Sequence, residues 1–408
     1  MIDVDRHAGR LVVAAVAAGI GLRLAFGLLY WTNKPLTHDE HEYLALADSV
    51  QNGRGFTYAE GPSGTTQQFG RAPGYPLFLA LLGAGGTHTT SPGRVKVAQS
   101  VLGGALVWLI AALARRAAGA RAGVLAAWLA AIHPPLVWIA AYVLSETLYA
   151  VVALASALAL QVAIDGQGDQ RKAYGATAVA GALIGSGILV RPALLFFLPL
   201  AAVWLFFRRR HIAALVLVAT TAAIVVPWTA RNLRVYGRFV LVATEGGVTF
   251  WTGNHPLAIG EGDLAANPPI KAADLAFRGQ YPELTGDQLE PPYYRDALQH
   301  IREHPGWWLG LLARKAFYTV VPIGPSYALH SPRYRVASIV PYLLLLPFAA
   351  AGAARLRRAA HPPAALFLLA GSAVLVCIVF FPQERFRIPV IDPALIVCAA
   401  AAGARHRR

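Results

Sequence analysis

Apolar residues fall in long, nearly unbroken runs along this chain, not in the alternation of half-buried strands. Runs of about 16–21 mostly apolar residues occupy 11–31, 95–114, 122–141, 144–164, 174–190, 192–207, 211–229, 336–354, 364–382 and 390–404, each read as enough to cross a hydrocarbon core of about 30 Å as a helix. A β-barrel would show short segments of period two. The pattern therefore predicts an all-α polytopic membrane protein with about ten spans. An eleventh would require the run GWWLGLLARKAFYTVV (306–321) to cross, against Arg314 and Lys315 in its middle. That run is read instead as an amphipathic interfacial helix, with Trp307 and Trp308 at headgroup depth.

Two interruptions stand out by length, at 32–94 and 230–335. Long loops in compact proteins are functional or disordered, and these are rich in aromatics, Gly and Pro. They are expected to fold onto the outer membrane surface. Within the first, Tyr43, Leu44, Ala47 and Val50 share one face of a helix over 40–50, stopped by Asn52-Gly53. A second short apolar helix begins at Pro73-Gly74-Tyr75-Pro76 and covers Leu77–Leu82, too short to span. No internal repeat of the kind found in many transporters is visible.

Composition agrees with membrane burial. Of 408 residues, 56% are apolar and 14% charged, against about 25% charge in soluble domains, and mean hydropathy is +0.49. A net charge of +15 first points to nucleic acid, but its distribution does not. The clusters are Arg6 and Arg10; Arg115, Arg116 and Arg121; Arg171 and Lys172; Arg208, Arg209 and Arg210; Arg355, Arg357 and Arg358; and Arg405, Arg407 and Arg408. With a cytoplasmic N-terminus and ten alternating spans, all six lie on the cytoplasmic side, as does the C-terminus. The charge is thus a topology signal for a multi-pass plasma or inner membrane protein, with both long loops facing the periplasm or exterior. No nucleic-acid motif is present. The first run is long for a signal h-region and lacks a small-x-small site before Trp31–Lys34, so it reads as a retained helix. Cys377 and Cys398 both fall in apolar runs and offer neither a disulfide framework nor metal-ligand spacing.

Candidate chemistry concentrates in LTHDEHEYLALADS (36–49), where Asp39 and Glu40 follow the first run. A carboxylate at an outer interface can act as a general base if it reaches an acceptor hydroxyl. Adjacent on a first helical turn, the two point in different directions, so two roles are more natural than a shared proton. The competing reading is helix capping, with Thr37 or Asp39 as N-cap and acidic charge in the first turn. Arg71 stands beside the rigid Pro-Gly-Tyr-Pro turn, where its planar fork suits a phosphate; headgroup snorkelling is the alternative. His38 and His41 have the chemistry to hold a divalent ion with Asp39 or Glu42, but their spacing matches no zinc motif.

HDEHEYLALADSVQNGRGF (38–56) followed by RAPGYPLFLALL (71–82) resembles the first external loop of the GT-C membrane glycosyltransferases. It looks most like the bacterial branch related to protein O-mannosyltransferases and the lipid A aminoarabinose transferase (glycosyltransferase family 39-like). That branch shows Asp-Glu, then Tyr, then a basic residue before a Pro-rich turn, here Asp39, Glu40, Tyr43 and Arg71-Ala72-Pro73. HPPLVWIAAYVLSETLYA (133–150), LVRPALLFF (189–197), PWTARNLRVYGRFV (227–240), GGVTFWTGN (246–254) and ERFRIPV (384–390) have weaker counterparts. The resemblance covers most of the chain and implies a single GT-C-like transmembrane domain over 1–408.

The resemblance implies a polyprenyl-phosphate sugar donor, a cell-envelope acceptor (glycolipid, glycan or protein) and inversion on the extracytoplasmic side. Asp39 is then the base, Glu40 positions acceptor or sugar, and Arg71 neutralises the departing phosphate. Arg191, Arg231, Arg385 and Arg387, near outer span ends, are candidates for the same phosphate site or for snorkelling anchors. Glu146 and Tyr43 are candidate positioning residues, with pairing to an arginine and packing as their alternatives; Tyr75 is a third candidate for positioning. No cofactor is expected, a divalent cation being left open. The aminoarabinose transferases carry a further C-terminal globular domain, so acceptor identity does not transfer. A transporter or flippase of lipid-linked sugars is the alternative from another class, and it predicts paired broken helices; a non-catalytic envelope scaffold is the third.

Overall fold

The computed structural model describes residues 4–60, 65–68, 70–166, 169–262, 264–359 and 362–404. The terminal cluster Arg405, Arg407 and Arg408 lies outside the described residues. In chain order the helices are α1 (Val4–Ala25), α2 (His38–Gln51), α3 (Gly74–Leu81), α4 (Gly93–Ala118), α5 (Ala120–Ile132), α6 (Pro134–Trp138), α7 (Glu146–Asp165), α8 (Gln170–Val190), α9 (Phe197–Phe207) and α10 (His211–Tyr236). There follow α11 (Gly246–Asn254), α12 (Pro268–Gly279), α13 (Glu290–Glu303), α14 (Pro305–Val320), α15 (Pro332–Arg357), α16 (Ala364–Val379), α17 (Glu384–Arg387) and α18 (Ile391–Gly403).

All ten apolar runs are helical, but they differ in reach. Six helices are long and apolar enough to cross a membrane alone: α1 continued through a π-helical turn to Tyr30, α4, α7, α8, α10 and α15. The run at 122–141 reaches crossing length only as a pair of helical pieces bent by 62°. Pro192–Phe207, α16 and α18 are apolar but shorter. The all-α expectation for the bundle holds, and one short hairpin is added outside it. In the first long connection, β1 (Thr57–Glu60) pairs antiparallel with β2 (Thr65–Gln68), Thr57 opposite Gln68 and Glu60 opposite Thr65.

The bend has a local cause. Pro134 and Pro135 lack backbone N–H groups, so the carbonyls that end α5 lose their continuing partners. Arg23 of α1, 1% exposed, supplies replacements, with Nη1 donating to Ala131 O at 3.4 Å and Nη2 to Ala130 O at 3.4 Å. A buried arginine in an apolar helix is thus accounted for without a carboxylate.

Helix pairs α1–α4, α4–α5, α7–α8, α8–α10 and α15–α18 form the bundle, around a core rich in alanine. Small side chains let backbones approach closely. The extreme case is Gly352 of α15, where a Cβ would lie 1.8 Å from the carbonyl oxygen of Cys398 on α18.

The second long connection builds its own small core from Trp251, Ile270, Phe277, Leu289, Tyr293 and Ala297 on α11–α13. It is moored to the bundle by Asn254, whose Nδ2 donates to Val379 O at 3.0 Å. Of the two charges inside 306–321, Arg314 is exposed and Lys315 faces inward. Lys315 is fully buried on α14, its Nζ donating to Asn254 Oδ1 at 3.0 Å, and Trp308 Nε1 donates to the same oxygen at 3.0 Å. Cys377 and Cys398 are buried and free.

Gly352→Ala should drive α15 off α18 and lower stability by about 2 kcal/mol or more. Gly371→Ala on α16, where a Cβ meets nothing within 4 Å, should be neutral or slightly stabilising. Thermal unfolding of both variants in detergent measures the contrast; equal midpoints would refute the close approach.

Candidate functional site

The site begins at the first turn of α2. Thr37 precedes the helix, and Glu40 reaches back to accept from Thr37 N at 2.8 Å and Thr37 Oγ1 at 3.0 Å. That is the Glu half of a capping box. The other Glu40 oxygen accepts from Val143 N at 2.8 Å, and the side chain is 1% exposed. Glu40 therefore ties α2 to the turn before α7, with both oxygens engaged.

One residue earlier on the helix, Asp39 points elsewhere. Its Oδ1 lies 3.0 Å from Arg71 Nη2 and its Oδ2 lies 2.5 Å from Arg385 Nη1. The adjacent carboxylates thus diverge, as expected of neighbours on a helical turn, and only Asp39 meets the basic cluster.

Arg71 is the hub. Besides Asp39 it pairs with Glu42, one turn further along α2, and its Nε lies 3.1 Å from Glu245 Oε1. Its guanidinium sits over the Tyr43 ring, 4.8 Å from the centroid. Glu245 arrives because the second connection runs directly against the first. Thr244 N donates to Gly70 O at 2.7 Å, and a Cβ on Gly70 would fall 1.8 Å from Thr244 Oγ1.

The far wall comes from the segment between α16 and α18. Arg385 also donates to Gln383 Oε1 at 2.8 Å. The Phe386 ring lies 5.3 Å from the Arg385 guanidinium and 4.6 Å from that of Arg191. Arg191 in turn pairs with Glu146 at 2.8 Å. That pairing is the alternative weighed for Glu146 against a positioning role. Tyr43 packs edge-on against Tyr75 at 4.9 Å, and the fully buried Tyr75 has its hydroxyl 3.3 Å from Gln99 Oε1.

Two of the five candidate arginines are drawn away from this cluster. Arg387 is 5% exposed and bound 2.8 Å from Asp392, which also lies 3.1 Å from His133 Nε2. Its guanidinium stacks on Tyr342 at 3.8 Å. Residues two apart on a helical turn face different sides, which separates Arg387 from Arg385. Arg231 stacks on Trp228 at 4.8 Å and on Phe56 at 5.8 Å. His38 reaches Glu42 at 3.3 Å. Among the described residues, three potential metal ligands gather only at His300, Glu303 and His304, not around His38 or His41.

Sequence reasoning missed Glu245 and Phe386 as members of the site and saw Glu42 only as a metal ligand. Glu42 was detectable, since three residues from Asp39 places it on the same helix face. Glu245 had no local signal; it is brought in by the Gly70–Thr244 contact.

Electrostatically the site is strongly coupled. Burial pushes the Asp39 carboxyl up, but Arg385 and Arg71 outweigh it and hold it well below the usual carboxylate range. For Glu245 burial wins: its carboxyl is raised despite Arg71, with Glu42 and Asp39 adding to the rise. Burial pulls Arg71 down, and the surrounding carboxylates more than reverse that. Asp39 is thus ionised and masked, both oxygens held by cations.

Residues 73–232 match the dolichyl-phosphate-mannose-protein mannosyltransferase family. The whole fold superposes on the archaeal oligosaccharyltransferase AglB from Archaeoglobus fulgidus, solved with an inhibitory peptide and a dolichol-phosphate. The TM-score is 0.57 at 16% identity, over 97% of this chain and 50% of that one. The same oligosaccharyltransferase tethered with an acceptor peptide gives a TM-score of 0.60 at 16% identity, over 98% and 49%. ArnT from Cupriavidus metallidurans, bound to undecaprenyl phosphate, gives 0.58 at 15% identity, over 97% and 60%. The chain spans about half the length of the oligosaccharyltransferase. No curated protein sequence matches it. The chain shares its fold with AglB and ArnT, and its sequence match to the mannosyltransferase family spans 73–232.

The division between the two carboxylates predicts opposite phenotypes. Glu40→Ala strands Val143 N and the cap, and should cost about 3 kcal/mol of stability. Asp39→Asn should leave the unfolding midpoint much closer to wild type, because Glu42 and Glu245 continue to neutralise Arg71 and Arg385 keeps a third of its side chain in water. Calorimetric or fluorescence melting of the two variants side by side reads this difference, and a larger loss for Asp39→Asn would reverse the assignment.

Proposed function

We propose that this protein is a membrane glycosyltransferase that moves a sugar from a polyprenyl-phosphate donor to a cell-envelope acceptor, with Asp39 as general base and inversion at the anomeric carbon. The observation that carries the reading is the convergence of Arg71 and Arg385 on the two oxygens of Asp39. A candidate base and cations suited to a leaving phosphate thus meet in one cluster.

In this mechanism Asp39 accepts the proton of the acceptor hydroxyl as that oxygen attacks the anomeric carbon. The bond from that carbon to the phosphate oxygen breaks, and the electron pair leaves with the lipid phosphate. Arg71 and Arg385 stabilise the charge that develops there. Arg191, held by Glu146 and stacked on Phe386, stands next in line along the same wall. Glu40 acts as a positioning residue by fixing the turn from which Asp39 projects. Tyr43 supports Arg71, with Tyr75 packed behind it.

Three further observations support the reading. The fold is shared with proteins solved with dolichol-phosphate and undecaprenyl phosphate. The 73–232 match is to a family described by dolichyl-phosphate-mannose chemistry. The six basic clusters favour an extracytoplasmic site with cytoplasmic termini, so that the lipid tail stays in the bilayer while its sugar reaches the loops.

A synthetic polyprenyl-phosphate sugar incubated with membranes bearing each variant tests this. Asp39→Asn should lower kcat by about 10²–10⁴-fold, and Arg71→Ala should lower kcat/KM for the donor. Turnover like wild type in Asp39→Asn would remove the base, and donor flipping without any glycosidic product would favour a transporter.

The masked carboxylate also fixes a pH signature. Donor phosphate drawn onto Arg71 and Arg385 weakens their hold on Asp39, and its carboxyl then rises toward the ordinary range. A carboxylate base is lost as pH falls through its pKa. The acid limb of kcat, which reports the donor-bound enzyme, should therefore lie at higher pH than that of kcat/KM. Coincident limbs would contradict the shared use of the arginines.

A further inference from the structure

A second group of coordinating side chains lies away from Asp39, where α13 meets α14. His300 and Glu303 stand on the last turn of α13, and His304 is the single residue between the two helices. One ligand atom from each lies within 4.8 Å of the others. The two imidazole rings are 4.6 Å apart by centroid. Glu303 and His304 are exposed and His300 is half-buried, so the donors are open to solvent.

We infer that His300, Glu303 and His304 form a binding site for a divalent transition metal, with zinc as the fitting ion. The two imidazoles, four residues apart across the end of α13, and the Glu303 carboxylate between them in sequence make a three-donor set. Two His and one Glu with an open position is a donor set zinc accepts in tetrahedral geometry. Imidazole donors exclude magnesium and calcium as the preferred occupants, since those ions take oxygen ligands.

The surroundings orient the donors. The His300 ring packs edge-on against Trp307 at 4.8 Å, and Gln299 Nε2 donates to Glu303 Oε1 at 2.9 Å. His304 N donates to His300 O at 2.9 Å, and His304 O accepts from Trp308 N at 3.1 Å, so the backbone through the joint is already fixed. Outer contacts of this kind set ligand orientation in metal sites.

The position gives the ion a consequence. α13 belongs to the small core of the second connection, with α11, which begins just after Glu245. α14 packs on α16, whose far end leads to Arg385. An ion held by three residues of this five-residue stretch caps the end of α13 at its joint with α14. The metal site itself rests on the three side chains alone and does not depend on the proposed glycosyl transfer.

Tag-free full-length protein in detergent, dialysed against Zn²⁺ at neutral pH, tests the site by metal analysis of the retained protein. The expected result is one saturable equivalent with a Kd on the order of micromolar. The double variant His300→Ala, His304→Ala should lose that equivalent, and Glu303→Gln should weaken it by at least about tenfold. His38→Ala with His41→Ala should retain it. Zn²⁺ should also raise the unfolding midpoint of wild type and leave that of the double variant unmoved. Absence of a saturable equivalent in wild type, or unchanged affinity in both Glu303→Gln and the double variant, would overturn the proposal.

Discussion

A guanidinium removed from water must take its anions with it, and Arg71 gathers three. Asp39 and Glu42 come from adjacent turns of α2, while Glu245 comes from the distant second connection. Neutralising one cation therefore fixes how two long connections lie on each other. Gly70 makes this possible, because only a residue without a side chain admits Thr244 at that distance. Arg385 extends the same constraint to the last part of the chain through the other oxygen of Asp39. Loop helices, the bundle and the segment before α18 thus meet at a single carboxylate.

Around that point the structure separates support from chemistry. Glu40 spends its hydrogen bonds on Thr37 and Val143, which leaves Asp39 as the first-turn carboxylate turned to the arginines. A second buried network, Arg387–Asp392–His133, performs a comparable service below. It joins the start of α18 to the residue at which α5 breaks, so the bend at Pro134 is held from one side by Arg23 and from the other by His133. Buried charge in this bundle is thus used twice for positioning, and in both cases each ion is paired or bonded to carbonyls.

Much of this was legible in the residues, and the boundary of legibility is physical. Length and apolarity identify helices, and all ten runs are helical. They do not distinguish a full span from a bent pair or a short helix, because 62° of bend at Pro134 changes no residue's hydropathy. Turn chemistry anticipated both capping at Thr37 and the divergence of Asp39 from Glu40. What sequence could not supply was rotation about the helix axis. Arg231 and Arg387 stand near span ends like Arg191 and Arg385, yet they face Trp228 and Asp392. Lys315 looked like a charge that keeps a helix at the interface, and it is instead bonded to Asn254. Glu245 joined the site through a tertiary contact between loops far apart in sequence, where no local pattern exists. The β1–β2 hairpin escaped because four-residue strands carry too little periodicity to register.

On the proposed mechanism, the charge count at the cluster bears on turnover. Asp39, Glu42 and Glu245 surround Arg71 and Arg385, so the resting site is already neutralised by the protein's own carboxylates. An incoming phosphate gains the arginines only by displacing those groups, which limits how tightly the lipid phosphate can bind. The same competition acts on the product. Once the sugar has been transferred, Glu42 and Glu245 stand ready to reclaim Arg71 and assist the lipid phosphate's departure. A site with unpaired arginines would bind the phosphate more strongly before and after reaction alike, and uniform binding of that kind raises no rate. On the proposed mechanism the surplus of acid around Arg71 is therefore part of the catalytic design, because it reserves the full strength of the cations for the moment at which charge develops on the leaving oxygen.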